Sequence, residues 1–389
     1  MTTPKSWPAS SLPSRGEGGS WLARLRAWQS RTVASPRFRA WAAAFPLTRP
    51  IARRRTRALF DLCAGFVYSQ ILHACVQLDV FNTLAAGPQT AAALAERLSL
   101  PLPGAERLLL AAVSLRLLSR RGDLFALGPL GAAVVGNDAV AAMVRHHAML
   151  YADLRDPVAL LRGEPGATVL ARYWAYAGAD APDALQSEHV AAYTALMAAS
   201  QPMVAAEVLA AYPLRRHRRL LDVGGGDGTF LQAALHATPG LHGTVFDLPA
   251  VADRARARLA RAGLQDRATA IGGSFYADAL PIGADVVSLV RVVHDHDDAD
   301  AMQILRAVRQ ALPPGGTLLL AEPMAGTAGA EPIGDAYFGF YLLAMGRGRA
   351  RTPAELTAML RQAGFSRVRA YATHTPLLVS VLAATVNDD

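Results

Sequence analysis

Downstream of residue 213 the chain alternates short apolar runs with longer stretches of helical periodicity. The runs 219–223, 243–246, 268–271, 284–290 and 316–321 predict strands, and the segments between them predict helices. Strands alternating with helices imply a mainly parallel sheet, because each helical crossover returns the chain to the same end of the sheet. Two last runs, 367–373 and 377–383, are joined by the turn His374-Thr375-Pro376 and follow a helix closed by Gly364-Phe365. They bring the expected strand count to seven.

The first half reads differently. From Arg57 the pattern becomes helical, with Leu59, Leu62 and Phe66 on one stripe that Ile71, Leu72 and Val76 continue to Leu78. Thr90 is placed to cap a helix over 91–98, Pro101, Pro103 and Gly104 break it, and a second helix is expected over 106–118. Arg120-Arg121-Gly122-Asp123 then turns between short strands ending near Leu127. Helix, turn, helix, hairpin is the outline of a winged helix. The second helix carries many leucines and only Arg107 and Arg116 as bases, whereas a recognition helix presents polar and basic side chains to the groove, so no nucleic-acid partner is expected. Residues 140–212 read as mostly helical. Before Arg57, the Pro, Ser and Gly content up to Ser20 suits a mobile tail, and one or two short helices fit 21–41 before Pro36, Pro46 and Pro50 cut the pattern.

Composition narrows the classes. With 389 residues, 52% hydrophobic and 18% charged, the chain is long enough for two domains around a sizeable core. No run of eighteen apolar residues is free of charge, and the polar start lacks the order of a secretory signal, so a cytoplasmic protein is expected. Two cysteines, Cys63 and Cys75, make neither a disulfide framework nor a metal cluster, so no metal site is expected. The formal net charge of +8 is uneven: residues 1–60 hold twelve Lys or Arg against Glu17 alone, a local +11 that leaves the remaining 329 residues at −3. The same segment carries Trp7, Trp21, Trp28 and Trp41. Basic and aromatic together suit an anionic bilayer surface.

The run Leu220-Leu221-Asp222-Val223-Gly224-Gly225-Gly226-Asp227-Gly228-Thr229 leads from a strand through glycines into a helix. Such a loop suits a ligand that touches backbone, either a dinucleotide or S-adenosylmethionine. The dinucleotide spacing from Gly224 calls for Gly or Ala where Thr229 stands, and Asp227 would face phosphate oxygens, so the phosphate-free ligand is favoured. Asp247, at the end of the second strand, can accept ribose hydroxyls or cap a helix. Gly272-Gly273-Ser274-Phe275 follows the third strand, where an adenine can stack on Phe275, and Phe275 equally fits a core. Arg291-Val292-Val293-His294-Asp295 follows the fourth and puts His294 at the carboxyl edge of the sheet, where ligands bind in open α/β folds.

These motifs, with Phe246-Asp247-Leu248-Pro249, Leu312-Pro313-Pro314-Gly315-Gly316 and Ala363-Gly364-Phe365, resemble the S-adenosylmethionine-dependent small-molecule O-methyltransferases over about residues 58–384. The resemblance implies an α/β fold: a seven-stranded Rossmann-like class I methyltransferase domain, preceded by a mostly α winged-helix dimerisation domain. It divides the chain into an arm (1–57), the dimerisation domain (58–150), a linker with acceptor-pocket helices (151–212) and the cofactor domain (213–389), and it implies a homodimer. It places Asp222, Gly224, Gly226, Asp247, Leu248, Ser274, Phe275 and Arg291 at or beside the cofactor. His294 takes the role of base, and Glu322, at the end of the next strand, that of the carboxylate orienting its ring. Two departures stand out: Gly273 and Ala350 occupy positions where many members carry carboxylates.

In that family the helix matching Pro332–Met345 lines the acceptor pocket. Tyr337, Phe338, Tyr341 and Met345 then form one wall for a hydrophobic small molecule, and Met143 and His147, beside His146, Met149 and Tyr151, the other. Helical spacing of this kind equally describes a core stripe. The segments Phe45-Pro46-Leu47-Thr48-Arg49, Arg57-Ala58-Leu59-Phe60-Asp61-Leu62 and Gly348-Arg349-Ala350-Arg351-Thr352-Pro353 resemble the branch of the family whose acceptors are acyclic hydroxycarotenoids. The basic, Trp-rich arm agrees with an acceptor that stays in a bilayer, with peripheral contact on an inner or photosynthetic membrane. A soluble phenol or polyketide as acceptor, and a winged-helix regulator that senses S-adenosylmethionine, are the alternative readings.

Overall fold

The computed structural model describes residues 20–164, 166, 168–173 and 200–387; the expected tail up to Gly19 and much of the expected linker, 174–199, lie outside these residues. The chain divides into two units between Val135 and Gly136.

In the first unit, helices Ser20–Ala34 and Pro36–Ala44 precede a 29-residue helix, Arg49–Gln77. Two of the prolines expected to interrupt this stretch instead open helices: Pro36 and Pro50 sit in first turns, where a missing N–H removes no hydrogen bond. The long helix therefore starts eight residues before Arg57. By length and composition it could cross a membrane, with mean hydropathy 1.4 over its most apolar window, and little of that window is buried. Thr90 caps Ala91–Arg97, its hydroxyl accepting from Ala93 N at 3.2 Å. The next helix runs Leu102–Ser114, earlier than the sequence pattern suggests. It stops because Arg116 adopts φ +62° and Leu118 pairs with Leu127 in a small antiparallel sheet. That sheet has the order β1 (Gln89–Thr90), β3 (Leu124–Leu127), β2 (Leu118–Arg121). Leu118 and Phe125 of the sheet and Leu94 and Leu109 of the two helices are buried in this unit's core.

The second unit is built on seven strands: β4 (Arg219–Val223), β5 (His242–Asp247), β6 (Ala268–Gly272), β7 (Val286–Val290), β8 (Thr317–Glu322), β9 (Arg367–Tyr371) and β10 (Ser380–Thr385). Their order is β6-β5-β4-β7-β8-β10-β9; β4 to β8 are parallel, and β10 runs antiparallel to both neighbours. β10 begins three residues later than expected. The turn closed by Leu378 N to Thr375 O occupies the intervening residues, and the Glu207 carboxylate accepts from His374 N and Thr375 N at its start. β7 and β8 are buried along their whole length, which explains their unbroken apolar character. From β4 the chain builds outward through β5 and β6, then crosses to β7 on the other side. The carboxyl ends of β4 and β7 thus flank the point where strand order reverses, the crevice in which open α/β sheets bind ligands.

Candidate active site

The glycine loop leaves β4 into this crevice. Gly224, Gly226 and Gly228 have φ of +65°, +60° and +80°. A Cβ on Gly224 would come within 2.8 Å of the Val292 side chain, and one on Gly225 within 2.5 Å of Asp222 Oδ2. Side chains would therefore both strain the backbone and fill the crevice floor. Asp222 is 1% exposed; its Oδ1 accepts from Ser288 Oγ at 2.6 Å, and its Oδ2 has no hydrogen-bond partner among the described residues. Burial raises its pKa to about 7. Asp247, at the end of β5, accepts from Gly226 N and from Leu248 N, each at 2.8 Å, and burial raises it to about 6. Asp227 points elsewhere: it accepts from Thr229 N and Oγ1 at the helix start and pairs with Arg258 at 2.6 Å.

Beyond β6, Ser274 N donates to Asp278 Oδ2 and Ser274 Oγ accepts from Tyr276 N. Phe275 meets the rings of Tyr276 and His296 edge-on. Gly273 lies against Phe246, where a Cβ would come within 2.7 Å of the ring and 3.2 Å of Asp278 Oδ2. A carboxylate thus stands near Gly273, brought there from five residues downstream. Arg291, in the left-handed region at φ +58°, donates to Ser200 Oγ at 2.8 Å and Gln201 Oε1 at 2.6 Å, tying the edge of β7 to the helix that includes 200–211.

His294 sits on a 3₁₀ turn, Val293–Asp295, and is 8% exposed. Its Nδ1 is 2.5 Å from Glu322 Oε2, while Glu322 Oε1 accepts from Val292 N at 3.1 Å and Val293 N at 2.7 Å. β7 and β8 are adjacent with Val290 opposite Ala321, so the 28 residues separating the pair along the chain bring them together across one strand spacing. Asp295 Oδ1 lies 3.2 Å from Nε2, a contact that no motif in the chain announces. Burial pushes the imidazole pKa down, but the Asp295 and Glu322 carboxylates outweigh it, and the net shift is upward.

The acidic run after His294, which reads as a solvated helix start, is tied to a distant loop. Arg347 pairs with Asp300, Arg349 and Arg351 with Asp298, and Gly348 N donates to Asp297. His296 is buried against Tyr276 OH at 2.6 Å, and burial holds its pKa near 3.

The aromatic wall begins in a π-helical segment, Pro332–Phe338, and continues as Gly339–Met345. Phe338 meets the His294 ring edge-on at 5.8 Å. Tyr337 OH lies 2.8 Å from His147 Nε2 and 3.6 Å from Met143 Sδ, and Tyr341 OH 2.6 Å from His146 Nε2. Met345 is 4% exposed, within a cluster that also holds Leu150, Leu170 and Tyr341. Phe338 thus meets His294, Tyr337 stands beside it, and Tyr341 and Met345 are buried deeper in the core.

A glycine cradle that side chains would fill, a buried carboxylate oxygen without a partner, and a second carboxylate at the end of the neighbouring strand fit a cofactor with an amino group and a ribose. Comparison with known proteins agrees. Residues 151–366 match the O-methyltransferase domain and residues 60–141 the O-methyltransferase dimerisation domain. The chain belongs to the S-adenosylmethionine-dependent O-methyltransferases and has their class I methyltransferase fold. It is 43% identical over 381 residues to the demethylspheroidene O-methyltransferase of Cereibacter sphaeroides, covering 98% of this chain and 99% of that protein. It is 34% identical to the acetylserotonin O-methyltransferase of Mus musculus over 81% of this chain and 85% of that one. Human N-acetylserotonin methyltransferase in complex with S-adenosylmethionine superposes with a TM-score of 0.71 at 25% identity, covering 86% of this chain and 98% of that chain.

Proposed function

We propose that this enzyme methylates the tertiary hydroxyl of an acyclic hydroxycarotenoid, with His294 as the base and Glu322 as the residue that orients it. The observation that carries the acceptor class is the 43% identity, over almost the whole of both chains, with a demethylspheroidene O-methyltransferase.

Asp222, Gly224, Gly226, Asp247, Leu248, Ser274, Phe275 and Arg291 are the residues that would hold the cofactor. When bound, S-adenosylmethionine supplies an electrophilic methyl group on a sulfonium. Glu322 keeps the His294 proton on Nδ1, so Nε2 is the nitrogen left unprotonated to take the acceptor's proton. A tertiary alcohol is a weak acid, so proton transfer accompanies attack and alignment of the hydroxyl carries much of the rate. Asp295, beside Nε2, faces the imidazolium that forms. Met143, His147, Tyr337, Phe338, Tyr341 and Met345 form the acceptor wall; its hydroxyl and imidazole groups pair with one another, an arrangement suited to an apolar chain.

The dimerisation domain, residues 60–141, pairs two copies of the chain. The arm ahead of it rests on an anionic membrane: Trp21, Trp28, Trp41, Leu47 and Ile51 are each more than half exposed, and ten arginines and no acid lie between Gly18 and Phe60.

The test is methyl transfer from labelled S-adenosylmethionine into hydroxylated acyclic carotenoids in anionic liposomes, wild type beside His294→Ala. Label in the carotenoid that falls by about 10² or more in the variant is expected for loss of a general base. Label only in soluble phenols would move the acceptor to the second reading, which similarity to the acetylserotonin enzymes favours.

A further inference from the structure

We propose that Arg351 is a positioning residue for methyl transfer, fixing the turn that carries His294. This rests on the reading of His294 as the base. Arg351 is 2% exposed. Its Nη1 donates to Val293 O at 2.9 Å and its Nη2 to His296 O at 2.7 Å, so one guanidinium spans the carbonyls on either side of His294 and Asp295. Nε and Nη2 also reach Asp298 Oδ1 at 2.9 and 2.8 Å. A buried guanidinium is tolerated only where its donors are matched, and here they are matched by the backbone of the catalytic turn and the acid that follows it.

The segment leading to Arg351 follows the same path. Gly348 (φ +78°) lies so close to the His294 carbonyl that a Cβ would strike it, and that Cβ would come within 2.6 Å of the Asp295 carbonyl carbon. Gly348 N donates to Asp297 Oδ1 at 2.9 Å. The turn is therefore held at its amide side by Glu322, through Val292 N and Val293 N, and at its carbonyl side by Arg351. A general base must stand within about 3 Å of the proton it takes. Displacement by about 1 Å can cost on the order of 10² in rate. Ala350 offers no carboxylate from this segment to place the ring, so the segment's grip on the turn is made through Arg351. Lysine cannot substitute, because one ammonium does not reproduce a planar fork across two carbonyls.

The experiment compares Arg351→Ala, Arg351→Lys, Arg349→Gln and His294→Ala in the liposome assay, each also titrated with S-adenosylmethionine. Arg351→Ala is expected to lose about tenfold or more in kcat with cofactor affinity within about threefold of wild type, and to recover part of the loss in added guanidinium. Arg351→Lys is expected to lose at least about fivefold in kcat, and decides the matter if the alanine variant does not fold. Arg349→Gln removes two partly exposed ion pairs, with Asp298 and Glu355, neither of which touches the His294 turn, and should stay within about twofold. A folded Arg351→Lys with wild-type kcat, or an Arg351→Ala loss confined to cofactor affinity, overturns the proposal. Wild-type activity in His294→Ala overturns the base assignment instead, and the two failures are told apart by which variant stays active.

Discussion

Replacing Glu322 by glutamine tests the catalytic reading with almost no change in shape. Oε1 of Glu322 accepts from two buried backbone amides, Val292 N and Val293 N, while Oε2 faces His294 Nδ1. In Glu322→Gln the amide oxygen must occupy the Oε1 position; turned the other way, it would set NH₂ against two N–H donors and leave both unsatisfied, at about 1–3 kcal/mol each. Even the low end of that range, about 2 kcal/mol, exceeds a tenfold preference. The NH₂ then donates to Nδ1, which must be unprotonated, and the imidazole proton moves to Nε2. The nitrogen meant to take the acceptor's proton already carries one. A wrong tautomer at a general base costs about 10²–10⁴ in rate, equivalent to roughly 3–5.5 kcal/mol of barrier. The variant should stay folded, since volume is kept and a buried charge is removed. Glu322→Ala, by contrast, strands both amides and should lose stability as well as rate. The assay is single-turnover methyl transfer into liposomal hydroxycarotenoid at pH 8, with thermal melts run alongside. A folded Glu322→Gln with a single-turnover rate constant within about threefold of wild type would refute the assignment of Glu322 and, with it, the tautomer argument for His294.

Gly348→Ala places a side chain at φ +78° against the backbone of His294 and Asp295, neither of which can swing away; a loss of about 2–4 kcal/mol is expected in urea unfolding, and an unchanged midpoint would contradict the close approach. The Asp222 carboxyl is raised to about 7, so the native state holds a proton that the unfolded chain has lost between pH about 4 and 7, and this group's contribution to stability falls as pH rises through that window. Asp222→Asn removes the dependence, so its melting temperature should gain on wild type from pH 5 to pH 8; parallel curves would show the carboxyl is not perturbed. Trp21, Trp28 and Trp41 changed together to serine should reduce flotation with anionic liposomes by about tenfold or more, and unchanged flotation would remove the arm from membrane contact.

Much of the site was legible because it depends on local signals. The glycines between Val223 and Thr229 are demanded by backbone approach and positive φ, which only their residue type supplies. His294 and Glu322 each end an apolar run, and parallel strands laid side by side bring such ends together whatever lies between. The limits of the long helix were harder to see, because the prolines that open helices look the same as those that break them until the chain's direction through the turn is known. The second helix ends at a left-handed Arg116, a conformation that no pattern of apolar residues announces. Asp297, Asp298 and Asp300 read as solvated acids, since the Gly348 N–H that meets the first and the arginines that meet the other two lie about fifty residues away in a loop of no regular period.

By itself, then, the sequence determined the alternation of strand and helix, the glycine loop, and the residues standing at the strand ends, because periodicity and turn chemistry act over a few residues. Only the tertiary structure decided that Asp295 faces Nε2, that Asp278 stands beside Gly273, and that Arg351 is buried against the turn carrying His294. Those contacts depend on how loops from distant strands come to lie against one another, and the polar groups involved carry no mark in the sequence of which partner will desolvate and pair them.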